Sequence, residues 1–181
     1  MNNKEQLSGF IIAGGKSSRM GTDKATLLWN NKTFIQHIID AFNSLRIGIK
    51  LVSSLQKHKN ANIPIVEDIF KNAGPVAGIA SALSETKNNI NVIVSCDVPL
   101  INSECISWLI NNHEGNYNAT IAMVNNKKMP LIGIYNKTCL PVFLEHLKNK
   151  QLRLLSVLEN LNVNYINIPT CLLYTSPSPR D

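Results

Sequence analysis

The segment between residues 9 and 28 constrains the fold more than any other part of the chain. Its apolar start, Phe10 to Ala13, predicts a short buried strand, and the double glycine Gly14-Gly15 ends that strand. Glycines let successive backbone N–H groups approach and face phosphate oxygens. Three cationic residues follow the double glycine: Lys16, Arg19 and Lys24. A strand that opens into a cationic glycine loop is typical of a site for a polyphosphate.

Two familiar glycine loops do not fit this segment. A P-loop requires a glycine five residues before its Gly-Lys-Ser, and Phe10 stands at that position before Gly15-Lys16-Ser17. A dinucleotide-binding loop requires G-x-G-x-x-G spacing, which Gly14, Gly15 and Gly21 do not supply. The segment therefore indicates a third kind of phosphate-binding loop.

The rest of the chain alternates between strand-like and helix-like patterns. Strands are predicted near residues 49–52, 63–66, 90–95, 119–124, 131–135 and 163–165. Helical spacing of apolar residues appears near 34–42, 75–83, 106–113, 140–147 and 154–161. A capping box at Thr33 and Gln36 is predicted to begin the first of these helices. The alternation favours a Rossmann-like, doubly wound α/β domain with a mostly parallel sheet and helices on both faces.

Ligands of such sheets bind at the carboxyl ends of the strands. Gly14, Asp68 and Asp97 all follow predicted strands. We therefore expect one crevice to collect the glycine loop and both carboxylates.

Composition narrows the function classes. The chain has 181 residues, of which 44% are hydrophobic and 17% charged, so one globular domain with an adequate core is expected. The basic residues that give the net charge of +6 are scattered, which disfavours a nucleic-acid interface. The four cysteines form no C-x-x-C pair and no cluster with histidine, so neither a zinc site nor a disulfide framework is indicated. We expect no membrane span, a cytoplasmic location and a monomer.

The segment from Ala13 to Lys24, AGGKSSRMGTDK, resembles the signature of the molybdenum cofactor guanylyltransferases, the MobA-like branch of the nucleotidyltransferases. A second segment, Ser95 to Ile101, resembles the metal-binding strand end of the same family. The resemblance extends from Gly9 to Ile168, so we expect a MobA-like domain over residues 1–168. Residues 169–181 are Ser/Pro-rich, and we expect a disordered or non-native tail where the family continues into a further helix.

The resemblance implies a role for each matching residue. Lys24 matches the residue that binds the triphosphate, and Arg19 and Lys16 would assist it. Asp97 would bind Mg²⁺, the implied cofactor, although a turn or helix-cap aspartate is the simpler local interpretation. The residues that match nucleotide contacts of the family are Ile12, Ala13, Gly14, Gly15, Lys24, Ser53, Asp68 and Asp97.

Two regions depart from the family or match it only loosely. The family often has an asparagine after the second strand, where this chain has Ser53-Ser54, and a hydroxyl offers fewer hydrogen bonds to a guanine base than an amide does. On the acceptor side the match is diffuse. Met129-Pro130-Leu131 resembles the start of the acceptor-side strand, and Arg153 either meets the acceptor phosphate or lies on a helix surface.

The implied reaction transfers GMP from GTP to molybdenum-loaded molybdopterin and releases pyrophosphate. Molybdoenzymes or their chaperones are the implied recipients of the product. Three alternatives stay open: a CTP-dependent enzyme acting on the same pterin, a nucleotidyltransferase acting on another phosphorylated acceptor, and a GTP-binding protein without turnover.

Overall fold

The computed structural model describes residues 7–13, 28–53, 62–70, 73–96, 98 and 101–169. The strands in these ranges are β1 (Leu7–Ile12), β2 (Leu28–Trp29), β3 (Lys32–Thr33), β4 (Gly48–Ser53), β5 (Ile65–Glu67), β6 (Ile90–Ser95), β7 (Ala119–Val124), β8 (Lys127–Asn136) and β9 (Val163–Asn167). The helices are α1 (Phe34–Ser44), α2 (Gly74–Glu85), α3 (Ser103–Asn111), α4 (Leu140–Lys148) and α5 (Leu154–Leu158).

Seven of these strands form one sheet in the order β5-β4-β1-β6-β8-β7-β9, and β2 pairs with β3 separately. Strands β5, β4, β1 and β6 are parallel to one another, and β8 runs antiparallel to both of its neighbours. This arrangement confirms the predicted doubly wound, mostly parallel sheet.

The reversal at β8 has a local cause in the turn before it. Asn125 and Asn126 join β7 to β8, and both have positive φ, at 49° and 61°. Asparagine tolerates this left-handed conformation, and two such residues in succession produce the tight turn of an antiparallel hairpin. As a consequence, β8 begins at Lys127, four residues before the strand start predicted from hydrophobicity at Leu131.

Helices bury both faces of the sheet, and the residues of β1 alternate between the two cores that result. Ile11 belongs to the core under α1 and α3, whereas Phe10 and Ile12 belong to the core under α2, α4 and α5. A parallel strand covered by helices on both faces requires such a continuous apolar run. The glycine loop therefore follows one of the most deeply buried strands of the domain.

Helix α2 is more buried than its sequence pattern predicts. The pattern indicates one apolar face, yet every residue from Val76 to Leu83 is buried. The helix packs against the sheet on one side and against α4 and α5 on another. Its small residues, three alanines, Gly78 and Ser81, permit this close packing.

The predicted ends of two other helices need correction. Thr33 Oγ1 accepts a hydrogen bond from Gln36 N at 3.3 Å, but Gln36 Nε2 donates to Asp40 Oδ1, so only half of the predicted capping box forms. The helical pattern predicted near residues 106–113 runs past the end of α3 at Asn111, so His113 lies outside the helix. Its ring instead bridges Thr120 Oγ1 and Asn136 Oδ1 at 2.9 and 3.1 Å.

Two cysteines pack as ordinary core residues. Burial raises the pKa of the Cys105 and Cys139 thiols to about 12, so both stay protonated at neutral pH.

No helix in the described ranges combines the length and the apolar content needed to cross a membrane.

We predict that Gly9→Ala destabilises the domain by about 1–3 kcal/mol, the usual cost of overpacking a core. A Cβ at Gly9 would lie 2.7 Å from both Ile49 Cγ2 and Phe42 Cε1, and Phe42 is fully buried. Urea denaturation measures the loss. Gly48→Ala is the matched control, since no atom lies within 4 Å of a Cβ there. Equal losses in the two variants would contradict the packing argument.

Candidate functional site

The carboxyl ends of four parallel strands meet at one edge of the sheet. In the strand register, Ile12 at the end of β1 lies beside Val52 of β4 and Ser95 of β6. Ser53 at the end of β4 lies beside Glu67 of β5. The chain therefore leaves all four strands at the same level of the sheet.

Backbone hydrogen bonds hold the chain in place just beyond the strands. Ala13 N donates to Val52 O at 2.9 Å, and Cys96 N donates to Ile12 O at 3.1 Å. Asp68 N donates to Ser53 O at 3.4 Å. Because these bonds continue the sheet ladder, the starting points of the loops that follow are fixed relative to one another.

Two hydrogen bonds hold the side chain of Asp68 at this edge. Its Oδ1 accepts hydrogen bonds from Phe70 N and from Ser81 Oγ, both at 3.2 Å. Ser81 Oγ in turn accepts a hydrogen bond from Ile69 N at 3.2 Å. The loop after β5 is thereby tied to the buried side of α2.

Ser81 was not identified from the sequence. It is 2% exposed and lies in the middle of an apolar helix. A buried hydroxyl requires a hydrogen-bond partner, so a serine among apolar helix residues is the sequence feature that could have pointed to this contact. The sequence could not name Asp68 as that partner, because the contact joins a loop to a helix 13 residues away.

The environment of Asp68 disfavours its charge. Burial raises the pKa of this half-buried carboxyl above its ordinary value of 3.8, and the hydrogen bonds from Phe70 and Ser81 offset only part of that effect. Neither ion pair in the described part of the chain, Lys32–Asp40 or Lys50–Glu85, involves Asp68. Both of these hydrogen bonds are accepted by Oδ1 rather than by Oδ2.

Helix α2 begins at the same edge and approaches β1 closely. A Cβ at Gly78 would lie 2.9 Å from Ile12 Cγ2, so a larger residue would push the helix away from the strand. Gly74, the first residue of α2, has a φ of +64°, which glycine adopts without strain. Pro75 stands in the first turn of the helix, where its fixed φ and missing N–H are tolerated.

The structure brings together four of the predicted nucleotide contacts: Ile12, Ala13, Ser53 and Asp68. Ser53 is only 1% exposed, and its backbone oxygen accepts the bond from Asp68 N. The remaining predicted residues lie outside the described ranges: Gly14, Gly15, Lys16, Arg19, Lys24, Ser54, Asp97 and the tail from residue 170 onward. Cys96 and Val98, the chain neighbours of Asp97, are described, and Val98 N donates to Ser95 O at 3.3 Å.

Of the segments that resemble the acceptor side of the family, Met129-Pro130-Leu131 lies in β8, on the other half of the sheet. Strand β8 enters the sheet there, with Lys128 beside Met123 of β7 and Met129 beside Ala122. Arg153 is exposed and directly precedes α5. In the described ranges, no group of three or more His, Cys, Asp or Glu side chains is placed to bind a metal ion.

Residues 9–163 match the family model of the MobA-like NTP transferase domain, which covers most of the chain. The chain belongs to the MobA-like NTP transferase family. A Flavobacterium johnsoniae protein named as a probable molybdenum cofactor guanylyltransferase is 35% identical over 164 residues, or 91% of this chain and 86% of that protein. A Carboxydothermus hydrogenoformans protein with the same name is 34% identical over 163 residues, or 90% and 82%.

Solved structures agree with this assignment at the level of the fold. The molybdopterin-guanine dinucleotide biosynthesis protein A of Archaeoglobus fulgidus aligns with a TM-score of 0.75 and 20% identity, over 88% of this chain and 83% of that one. A protein from Aquifex aeolicus aligns with a TM-score of 0.77 and 25% identity, over 97% and 95%. The family resemblance, the fold and the nucleotidyltransferase class predicted from the sequence are therefore confirmed.

We predict that Asp68→Asn leaves the nucleotide-free protein at pH 7 at least as stable as the wild type but weakens GTP binding about tenfold or more. Asparagine keeps the Oδ1 acceptor and has no charge to desolvate. Because burial raises the carboxyl pKa, the wild type loses stability as the pH rises from 3.8 through the raised value, and the variant does not.

Thermal denaturation at several pH values tests the stability effect, and titration calorimetry tests binding. The advantage of the variant should vanish below pH 3.8, where the wild-type carboxyl is neutral in both the folded and the unfolded state. A melting temperature more than about 5 °C below that of the wild type at pH 7 would show that ionised Asp68 stabilises the fold.

Proposed function

We propose that the protein transfers GMP from GTP to molybdenum-loaded molybdopterin, releases pyrophosphate and forms the guanine dinucleotide form of the cofactor. The observation that carries the proposal is the single sheet edge where the β1 loop begins and where Ala13, Ser53 and Asp68 lie together. Membership of the NTP transferase family and the names of relatives at 34–35% identity support it.

The proposed reaction requires little covalent help from the protein. An oxygen of the acceptor's terminal phosphate attacks the α-phosphorus of GTP, and the bond from that phosphorus to the bridging oxygen of pyrophosphate breaks. The attacking oxygen is already anionic at neutral pH, so no side chain has to remove a proton. Catalysis then consists of positioning the two substrates and stabilising the charge that develops.

We assign the phosphate contacts to the glycine loop. Gly14 and Gly15 would offer backbone N–H groups, and Lys24, with Arg19 and Lys16, would balance the triphosphate charge. The loop starts from Ala13, whose hydrogen bond to Val52 fixes its base. Asp68, whose Oδ1 is held by Phe70 and Ser81, would present Oδ2 to the nucleotide.

The donors at this edge suit Mg²⁺. Magnesium prefers carboxylate oxygens, binds one or two of them together with phosphates, and keeps several waters. Asp68 supplies a half-buried carboxylate whose charge no described cation neutralises. We propose Asp97, two residues after β6, as the direct ligand. When bound, the ion would neutralise charge on the phosphate oxygens.

We assign the contact with the base to the end of β4. Ser53 stands where the family often has an asparagine, and this favours testing CTP beside GTP. We also propose that the protein acts as a cytoplasmic monomer and delivers its product to molybdoenzymes or their chaperones.

The decisive experiment measures pyrophosphate release from GTP, CTP and ATP with Mg²⁺ and molybdenum-loaded molybdopterin. We expect release with GTP. Preference for CTP would identify a cytidylyltransferase with the same mechanism. Binding of GTP without release of pyrophosphate would identify a nucleotide-binding protein without turnover and overturn the proposal.

We predict that Asp97→Ala lowers kcat by about 10²–10³-fold or more, the usual effect of removing one group that stabilises the charge of the transition state. The melting temperature should stay within about 2 °C of the wild type, because Asp97 comes two residues after the end of β6 in the chain.

Steady-state kinetics at saturating GTP and Mg²⁺ measure the effect. Asp40→Ala is the matched control. Asp40 lies on α1, and its carboxylate forms an exposed ion pair with Lys32 of β3. Activity of Asp97→Ala close to that of the wild type would refute the metal assignment.

A further inference from the structure

The carboxyl edge of the sheet has two halves, and only one of them is used by the predicted nucleotide contacts. Those contacts come at or just after the ends of β1, β4 and β5 in the chain, and the proposed metal ligand follows β6. Strands β8, β7 and β9 make up the other half. A reaction between two bound substrates needs a place for the second one, and this half adjoins β6 directly.

Lys128 lies at the level of the strand ends on this second half. It is the second residue of β8 and pairs with Met123, which in turn pairs with Asn167 at the end of β9. Gly133 of β8 pairs with both Ile93 and Ile121, so Met123 and Ser95 are each two residues farther towards the carboxyl edge. Lys128 is therefore about level with the end of β6.

An aromatic ring, rather than a carboxylate, holds the side chain of Lys128. Its Nζ lies 4.2 Å from the centroid of the Tyr165 ring. The ion pairs in the described ranges use Lys32 and Lys50 instead. A cation–π contact orients the ammonium group but leaves its positive charge uncancelled. The N–H groups that point away from the ring can still donate to an anion.

Tyr165 is well placed to fix the position of the lysine. It lies in the interior of β9, is partly buried and packs against the core under α2, α4 and α5. Lysine has a long side chain that loses considerable rotamer freedom when it binds a ligand. A ring that restricts the side chain beforehand reduces that loss on binding.

We propose that Lys128 binds the terminal phosphate of the acceptor and that Tyr165 is its positioning residue. This inference rests on the proposed function and extends it to the acceptor side of the site. A phosphate monoester carries close to two negative charges at neutral pH and accepts several hydrogen bonds, which suits an exposed, oriented ammonium group. Lys128 is exposed and can reach such a ligand.

The test compares Lys128→Ala with Lys127→Ala in two measurements. The first is steady-state kinetics with GTP and molybdenum-loaded molybdopterin, and the second is equilibrium binding of the same pterin without nucleotide. We expect Lys128→Ala to raise the KM and the Kd for the pterin about 10- to 100-fold and to leave the KM for GTP unchanged. Lys127→Ala removes the same charge from the neighbouring residue, whose side chain leaves the opposite face of the strand, and should change neither value more than about twofold.

Two variants of Tyr165 test the positioning role. Tyr165→Phe keeps the aromatic face and should behave as the wild type. Tyr165→Leu removes it and should raise the KM for the pterin about two- to fivefold without lowering kcat. A purely structural role of the tyrosine would instead lower the melting temperature without changing the KM.

The possible outcomes separate this inference from the proposed function. If the wild type releases no pyrophosphate, the proposed function fails, and the pterin-binding measurement still decides the role of Lys128. If the Lys128→Ala and Lys127→Ala variants bind the pterin equally well, or if Lys128→Ala raises the KM for GTP as much as that for the pterin, the inference is wrong. A wild type that does not bind the pterin also overturns it.

Discussion

The parallel register of β1 with its two neighbours is the constraint on which the site depends. Ile12 is paired on both sides, with Val52 and with Ser95, so the ends of three strands lie within one residue of each other. Burial on both faces fixes this register, because a slip by one residue would exchange the side chains of the two cores. The loops that carry the chemistry therefore start from a rigid base, although the residues that begin them are distant in sequence.

The network around Asp68 connects this base to the helix layer. One carboxylate oxygen accepts bonds from a backbone amide and from a serine buried in α2. Partial burial destabilises the charged carboxylate, and these hydrogen bonds offset only part of that effect, as the raised pKa of the carboxyl indicates. A site that leaves a carboxylate incompletely paired favours binding of a ligand or cation that completes the pairing.

The antiparallel strand β8 gives the edge a second half of different character. A turn of two asparagines with positive φ reverses the chain and brings Lys128 to the carboxyl edge. Were every strand parallel, a residue at the start of β8 would lie at the opposite edge of the sheet. The single reversal thus places a cation from the beginning of a strand at the same edge of the sheet as the ends of the parallel strands.

The sequence by itself determined the fold class, most elements and the family. Hydrophobic periodicity records which faces are buried, and the glycine loop with Lys24 and the segment around Asp97 carry the family signature locally. Only the tertiary structure placed Ser81 against Asp68 and Lys128 over Tyr165. These pairs are 13 and 37 residues apart in the chain. Neither pairing follows from local propensity, since each depends on how helices and strands pack across the sheet. The reversal at β8 follows only in part from the sequence. The asparagine pair is visible there, but the assembled sheet sets the position of β8 beside β6.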